Sequence, residues 1–229
     1  MSSRLAFLLT LPLFVLSAAG AAPDAASAEP LTAPAIPKNA VAYWSSEKTK
    51  AEDGKLTVID TIGGNNFNAT GWLTAKPGSG IFFDGTQTAP AKPVDKQIVT
   101  PDFAISVSLQ PSGTGAEFQT PIYIYGFCEF RYRLSRSELS FNVWRKNAAG
   151  DVIAAGNVKL PIVAGKWNRV QAVIKGDVAR LTVNGVTTQS ELDGSWDNFF
   201  PSKPLMIGFG GNDRAFKGGL DHVLFAPAP

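Results

Sequence analysis

Apolar and polar residues alternate with period two through most of the chain beyond about residue 38, and the alternation stops repeatedly at Gly, Pro, Asn and Asp. Phe103, Ile105, Val107 and Leu109 alternate with Ala104, Ser106 and Ser108, which predicts a strand with one buried face. Phe130, Tyr132 and Leu134 alternate in the same way with Glu129, Arg131 and Arg133. In the next run Leu139, Phe141 and Val143 alternate with Glu138, Ser140, Asn142 and Trp144. Further strands are predicted over Val41 to Trp44, Val152 to Lys159, Trp167 to Lys175, Ala179 to Val183, Pro204 to Gly208 and Gly219 to Phe225. Helical periodicity is nearly absent outside the N-terminus. The expected fold is all-β, with two antiparallel sheets packed as a β-sandwich.

The short link at Ser135-Arg136 predicts a hairpin between the two strands that carry the Glu and Arg residues. Their polar sides then share one sheet surface bearing Glu129, Arg131, Arg133, Glu138, Asn142 and Trp144. Arg forks bind carboxylates and sulfates, and an indole packs on the C–H face of a sugar ring, so this surface suits a polar or acidic glycan. The alternative is a solvated face of cross-strand ion pairs. A second candidate is the stretch between Gln189 and Lys203, where Trp196 and Phe199 stand among Asp197, Asn198 and Phe200. Loop aromatics flanked by amides and carboxylates grip sugars, or else fold down over a sheet edge.

The first residues read differently. Arg4 precedes an apolar run from Leu5 to Leu16, followed by small residues from Ser17 to Ala22, the pattern of a signal peptide over residues 1–22. Residues 23–37 are nearly all Ala, Pro, Ser and Thr, a composition expected to form a flexible leader. Residues 38–229 then form one sandwich domain, which the signal places in a secreted or periplasmic setting. The formal net charge of +2 argues neither for nucleic acid as a partner nor for insertion in a membrane.

Chemistry-bearing residues are sparse. Cys128 is the single cysteine and falls in an alternating strand, so a buried inert thiol is expected. His222 is the single histidine and reads as a hydrogen-bonded strand residue. One His and one Cys leave no basis for a zinc cluster or a Cys-His pair. No Glu-x-Asp-x-Glu run, which would place three glucanase carboxylates on one strand face, is present.

Several of these segments, in order, resemble the laminin-G-like domains of the concanavalin A-like lectin/glucanase superfamily. Ile81-Phe82-Phe83-Asp84-Gly85 resembles the family's strand end, and Phe103 to Leu109 its following strand. Trp167 to Gly185 resembles its Trp-led hairpin ending in Asn-Gly, and Phe216 to Asp221 its closing Phe-x-Gly segment. The resemblance implies a concanavalin A-like jelly roll and a ligand that is a glycan or cell-surface glycoconjugate, bound on a concave sheet. It also implies a structural calcium in some relatives, for which the matching residue is Asp221. Arg136-Ser137-Glu138-Leu139 resembles one strand of an alginate lyase family, whose companion motifs are missing here. The expectation is therefore a carbohydrate-binding module without a recognisable catalytic motif. The alternatives are a lyase or glycosidase acting on an acidic glycan, and an adhesion module with a protein partner.

Overall fold

Where the sequence alternates, the chain is extended. The computed structural model describes residues 32–87, 90–91, 100–195, 205–211 and 213–229. The N-terminal strands are β1 Ala42–Glu52, β2 Lys55–Asp60, β3 Phe67–Thr70, β4 Leu73–Lys76 and β5 Gly80–Asp84. Then come β6 Phe103–Pro111, β7 Phe118–Ile124, β8 Cys128–Arg133, β9 Glu138–Lys146 and β10 Val152–Pro161. The chain closes with β11 Asn168–Lys175, β12 Val178–Val183, β13 Val186–Glu191, β14 Leu205–Ile207 and β15 Lys217–Pro227.

These strands build two antiparallel sheets, one of ten strands and one of five among the described residues. The smaller runs β10-β9-β8-β7-β14. In the larger, β13-β12-β11-β6-β15-β1-β2-β3 are neighbours, and β5, with β4 beside it, pairs the first half of β15 where β1 pairs the second. A concanavalin A-like β-sandwich is the result. Several stretches depart from the sequence reading, among them β2, β3 and β4, which it does not predict. Residues 186–191 form the edge strand β13 rather than the start of a loop, because the hairpin from Asn184-Gly185 continues into an exposed strand with no apolar alternation to mark it. Residues 118–124 form β7 despite Pro121, which falls where the register with β8 shifts and no ladder bond is required.

The core lies between the sheets, filled by the predicted apolar sides: Ile105, Val107 and Leu109 of β6 face Phe130, Tyr132, Leu139, Phe141 and Val143 of β8 and β9. Each such side chain contributes roughly 1.5–3 kcal/mol by leaving water. Cys128 is buried in this core, and loss of solvation, with the nearby Glu129 charge adding to it, holds its thiol well above the usual range, so the thiol is inert. The glycines of the closing motif exist for close packing: a Cβ on Gly219 would come within 2.6 Å of the Trp167 ring, which also packs on Phe82.

Arg145 continues the inward side of β9 and is 0% exposed. Its guanidinium bonds Asp177 Oδ1 at 2.6 Å, the Gly176 carbonyl at 2.6 Å and the Gly194 carbonyl at 3.3 Å. It thus ties the smaller sheet to the β11–β12 turn of the larger. Replacing Arg145 by Met is expected to lower unfolding free energy by about 2 kcal/mol, since the charge-assisted bonds that tie the smaller sheet to this turn are lost. Urea denaturation checks this; an unchanged midpoint would contradict the role.

Candidate functional site on the five-stranded sheet

The pleat that sends Phe130, Phe141 and Val143 into the core sends Glu129, Arg131, Arg133, Glu138, Ser140, Asn142 and Trp144 to the outer face. Strand register arranges this face in rows across the strands. Met206, Tyr123, Glu129, Asn142 and Asn157 form one row spanning β14, β7, β8, β9 and β10. Arg131, Ser140 and Lys159 form the next, and Phe118, Arg133, Glu138 and Pro161 the one beyond. Trp144 lies on the opposite flank of the first row.

Glu129 is the centre of this face and is only 1% exposed, though no core residue covers it. Its cover is a shell of donors. Arg131 Nη2 and Asn142 Nδ2 reach Oε1, the latter at 3.2 Å, while Arg214 Nη1 meets Oε2 at 3.0 Å and Oε1 at 3.3 Å. Asn142 in turn donates to Ser140 Oγ and accepts from Asn157 Nδ2. Arg214 arrives from the segment between β14 and β15, anchored by the carbonyls of Gly210 and Gly211. A carboxylate served by two guanidinia and an amide fixes the orientation of those side chains. Arg131 Nε is buried and has no hydrogen-bond partner among the described residues.

Aromatic rings flank the polar row. Tyr123 lies 6.2 Å from Trp144 and 5.8 Å from Tyr125 between centroids, and the Arg214 guanidinium sits over Tyr123 at 5.9 Å. Tyr125 is 54% exposed and Trp144 is half-buried. The face therefore combines C–H-accepting ring faces with fixed donors, the two things a sugar ring needs.

Of the residues expected from the sequence, the structure brings Arg131, Asn142 and Trp144 together around Glu129. Arg133 and Glu138 stand on the same face but two residues further along, and each has another partner. Arg133 pairs with Glu117 at 3.0 Å and lies 5.4 Å over the Phe118 ring; Glu138 approaches Lys159 at 4.0 Å. Hydrogen bonds from Ser135 and Arg133, opposed only weakly by desolvation, hold the Glu117 carboxyl below its usual range. Trp196 and Phe199 lie outside the described residues, as do residues 1–31 with the expected signal peptide and most of the leader. Tyr123, Tyr125 and Arg214 were not legible in advance, because Pro121 masks the strand of the first and a loop carries the last.

Asp221 belongs to a different environment. It is 1% exposed, and its carboxylate accepts from Ser46 N at 2.8 Å, Ser46 Oγ at 2.6 Å and His222 N at 2.8 Å. Three protein donors already take sites on this carboxylate, and among the described residues no group of three or more His, Cys, Asp or Glu could hold a metal. These residues do not fit a cation, and the carboxylate acts as a clamp between β1 and β15.

The sheet order and closing motif have a counterpart in known families. The family Laminin_G_3, described as the concanavalin A-like lectin/glucanases superfamily, matches residues 83–227. The chain belongs to this family. No curated protein matches it by sequence. Among solved structures, the binding domain of Paraclostridial Mosquitocidal Protein 1 is similar at 11% identity and a TM-score of 0.55, over 83% of this chain and 49% of that one. Domain 4 of AbnA, an extracellular arabinanase of Geobacillus stearothermophilus, in complex with arabinotriose, is similar at 13% identity and a TM-score of 0.56, over 83% of this chain and 93% of that one. The binding domain of Botulinum Neurotoxin DC in complex with SialylT is similar at 10% identity and a TM-score of 0.57, over 82% of this chain and 47% of that one. The chain thus spans about half the length of the two toxin domains. At these identities the shared property is the sandwich fold.

Proposed function

We propose that the protein is an exported carbohydrate-binding module whose ligand site is the outer face of the five-stranded sheet around Glu129. The observation that carries this reading is the placement of Trp144, Tyr123 and Tyr125 beside the fixed donors of Arg131, Arg214 and Asn142. A pyranose ring stacks on Trp144 or Tyr123 while its hydroxyls accept from the part-exposed Arg131 guanidinium. Glu129 neutralises part of the guanidinium charge, so the face suits hydroxyl-rich glycans and does not depend on a strongly acidic one. Two similar structures carry a bound glycan by name, arabinotriose in one and SialylT in the other, which supports the ligand class. The export reading rests on the apolar run from Leu5 to Leu16 and the small residues after it.

Catalysis by this face is disfavoured by the burial of Glu129, which is 1% exposed and held by two guanidinia and an amide. Trp144→Ala tests the binding reading. The variant is expected to stay folded, with a lowered denaturation midpoint because Trp144 also packs against the core, and to bind a glycan identified on an array about 5- to 150-fold more weakly, equivalent to about 1–3 kcal/mol. Titration calorimetry measures it, and equal affinity for the variant would sink this site.

A further inference from the structure

Exposed aromatic side chains, among the described residues, stand at opposite ends of one strand. Phe118, 41% exposed, is the first residue of β7, and Tyr125, 54% exposed, follows its last. Tyr125 continues the cluster of Tyr123 and Trp144, whereas Phe118 lies two rows away, opposite Arg133. Phe118 pairs with Arg133 and Ile124 with Cys128, so the two exposed rings are six β8 steps apart. At about 3.4 Å per step that is about 20 Å, enough for about four linked sugar rings. A lone exposed ring on a protein surface is ordinary. Rings at both ends of one strand, with hydrogen-bonding rows between them, match an extended ligand instead.

The Phe118 end is held in place as the Trp144 end is. Glu117 accepts from Ser135 N at 3.1 Å, Ser135 Oγ at 2.6 Å and Arg133 Nε at 3.0 Å. This clamp fixes the Arg133 guanidinium 5.4 Å over the Phe118 ring. A ring already held this way loses little freedom when a ligand settles on it.

Between the ends lies the row of Arg131, Ser140 and Lys159, with the Arg131 and Lys159 side chains 33% and 51% exposed. Charges on this face are matched with one another. Glu129 meets Arg131 and Arg214, Glu117 meets Arg133, and Glu138 approaches Lys159 at 4.0 Å. The row therefore offers hydrogen bonds to hydroxyls without an unmatched charge that would call for an acidic ligand. We infer that this face takes a neutral, linear oligosaccharide of about four residues, laid along the strands from Trp144 to Phe118. The inference rests on the sheet-face reading and adds the ligand's length, charge and direction. One end residue stacks at Trp144 and Tyr123, the other packs on Phe118, and the residues between them meet Arg131 and Lys159.

The test is calorimetric titration of the protein with dimers, tetramers and hexamers of two neutral linear glycans, arabino-oligosaccharides and cello-oligosaccharides. The tetramer of at least one series is expected to bind at least about tenfold more tightly than its dimer, and the hexamer to match the tetramer within about threefold. Phe118→Ala is expected to cut the tetramer's advantage over the dimer to about twofold or less, and Phe118→Tyr, which keeps the ring, to retain it. Trp144→Ala should weaken dimer and tetramer alike. In the unaltered protein, NMR should show the tetramer shifting the Arg133 Nε–H signal together with the Trp144 indole N–H, a readout that needs no variant to fold. Equal affinity for dimer and tetramer, with a shift at Trp144 alone, would overturn the extended-chain inference while leaving the sheet-face reading in place. A tetramer advantage that survives Phe118→Ala would overturn the role of Phe118. Failure of every chain in both series to bind would also overturn the inference, and the effect of Trp144→Ala on an array-selected glycan then decides the sheet-face reading separately.

Discussion

Glu129→Ala is expected to cost about 3–5 kcal/mol of stability and to abolish glycan binding together. The stability loss arises because Arg131 and Arg214, 33% and 20% exposed at their side chains, lose the carboxylate that compensates their partial burial. The binding loss arises because Glu129 fixes the orientation of Arg131, Asn142 and Arg214. Glu129→Gln separates the two effects: it keeps the shape and an acceptor for Asn142 while removing the charge, and should retain more stability than Ala. Combining Glu129→Ala with Arg214→Met should recover part of the loss, because the second change removes one of the stranded charges. Chemical denaturation and calorimetry measure both effects. A Glu129→Ala protein with native stability and native affinity would show that the network is ornamental.

Asp60→Ala should be of similar size and purely structural. Asp60 closes β2, is 4% exposed, and accepts five hydrogen bonds: from the backbone of Tyr43, Ile62, Gly63 and Asn65, and from the Asn65 side chain. The turn can tighten this far because residue 63 is glycine; a Cβ there would lie 2.4 Å from the Val41 carbonyl and 2.8 Å from the Asp60 carboxylate. Truncation strands several buried N–H groups and is expected to cost about 3–5 kcal/mol. Desolvation pushes the Asp60 pKa up, but the backbone donors outweigh it and hold the carboxyl below its usual range. A depressed folded-state value means that the stabilisation is fully present above the unfolded value of about 4 and is lost as pH falls through the folded one. Wild-type stability should therefore decline on acidification below about pH 4 with a contribution that Asp60→Asn lacks. Parallel pH profiles of the two proteins would refute the assignment.

The alternating strands were readable because a pleat allows only two faces, so a single buried position fixes the facing of every other residue in the strand. The inward Phe130 and Phe141 thus put Arg131, Asn142 and Trp144 on one face from the sequence pattern alone. Breaks in that period hid the rest. Pro121 at the register shift of β7 concealed the strand that carries Tyr123, and the exposed β13 lacks a buried face. His222 departs from simple alternation because the β15 bulge changes the pleat there. Arg214 comes from a non-repeating segment, and nothing in its local sequence says that it will meet Glu129, eighty-five residues away. The order of the five-stranded sheet, in which β14 joins β7, is a long-range pairing of the same kind.

We propose glycan binding at the outer face of the five-stranded sheet. Its most direct test is to add the best array-selected sugar to isotopically labelled protein and follow the Trp144 indole N–H and the Asn142 side-chain amide by NMR. Saturable shifts of both signals are expected, with the Gln171 amide on the opposite face unmoved. Saturable shifts confined to other surfaces, or no shifts with any glycan on the array, would contradict it.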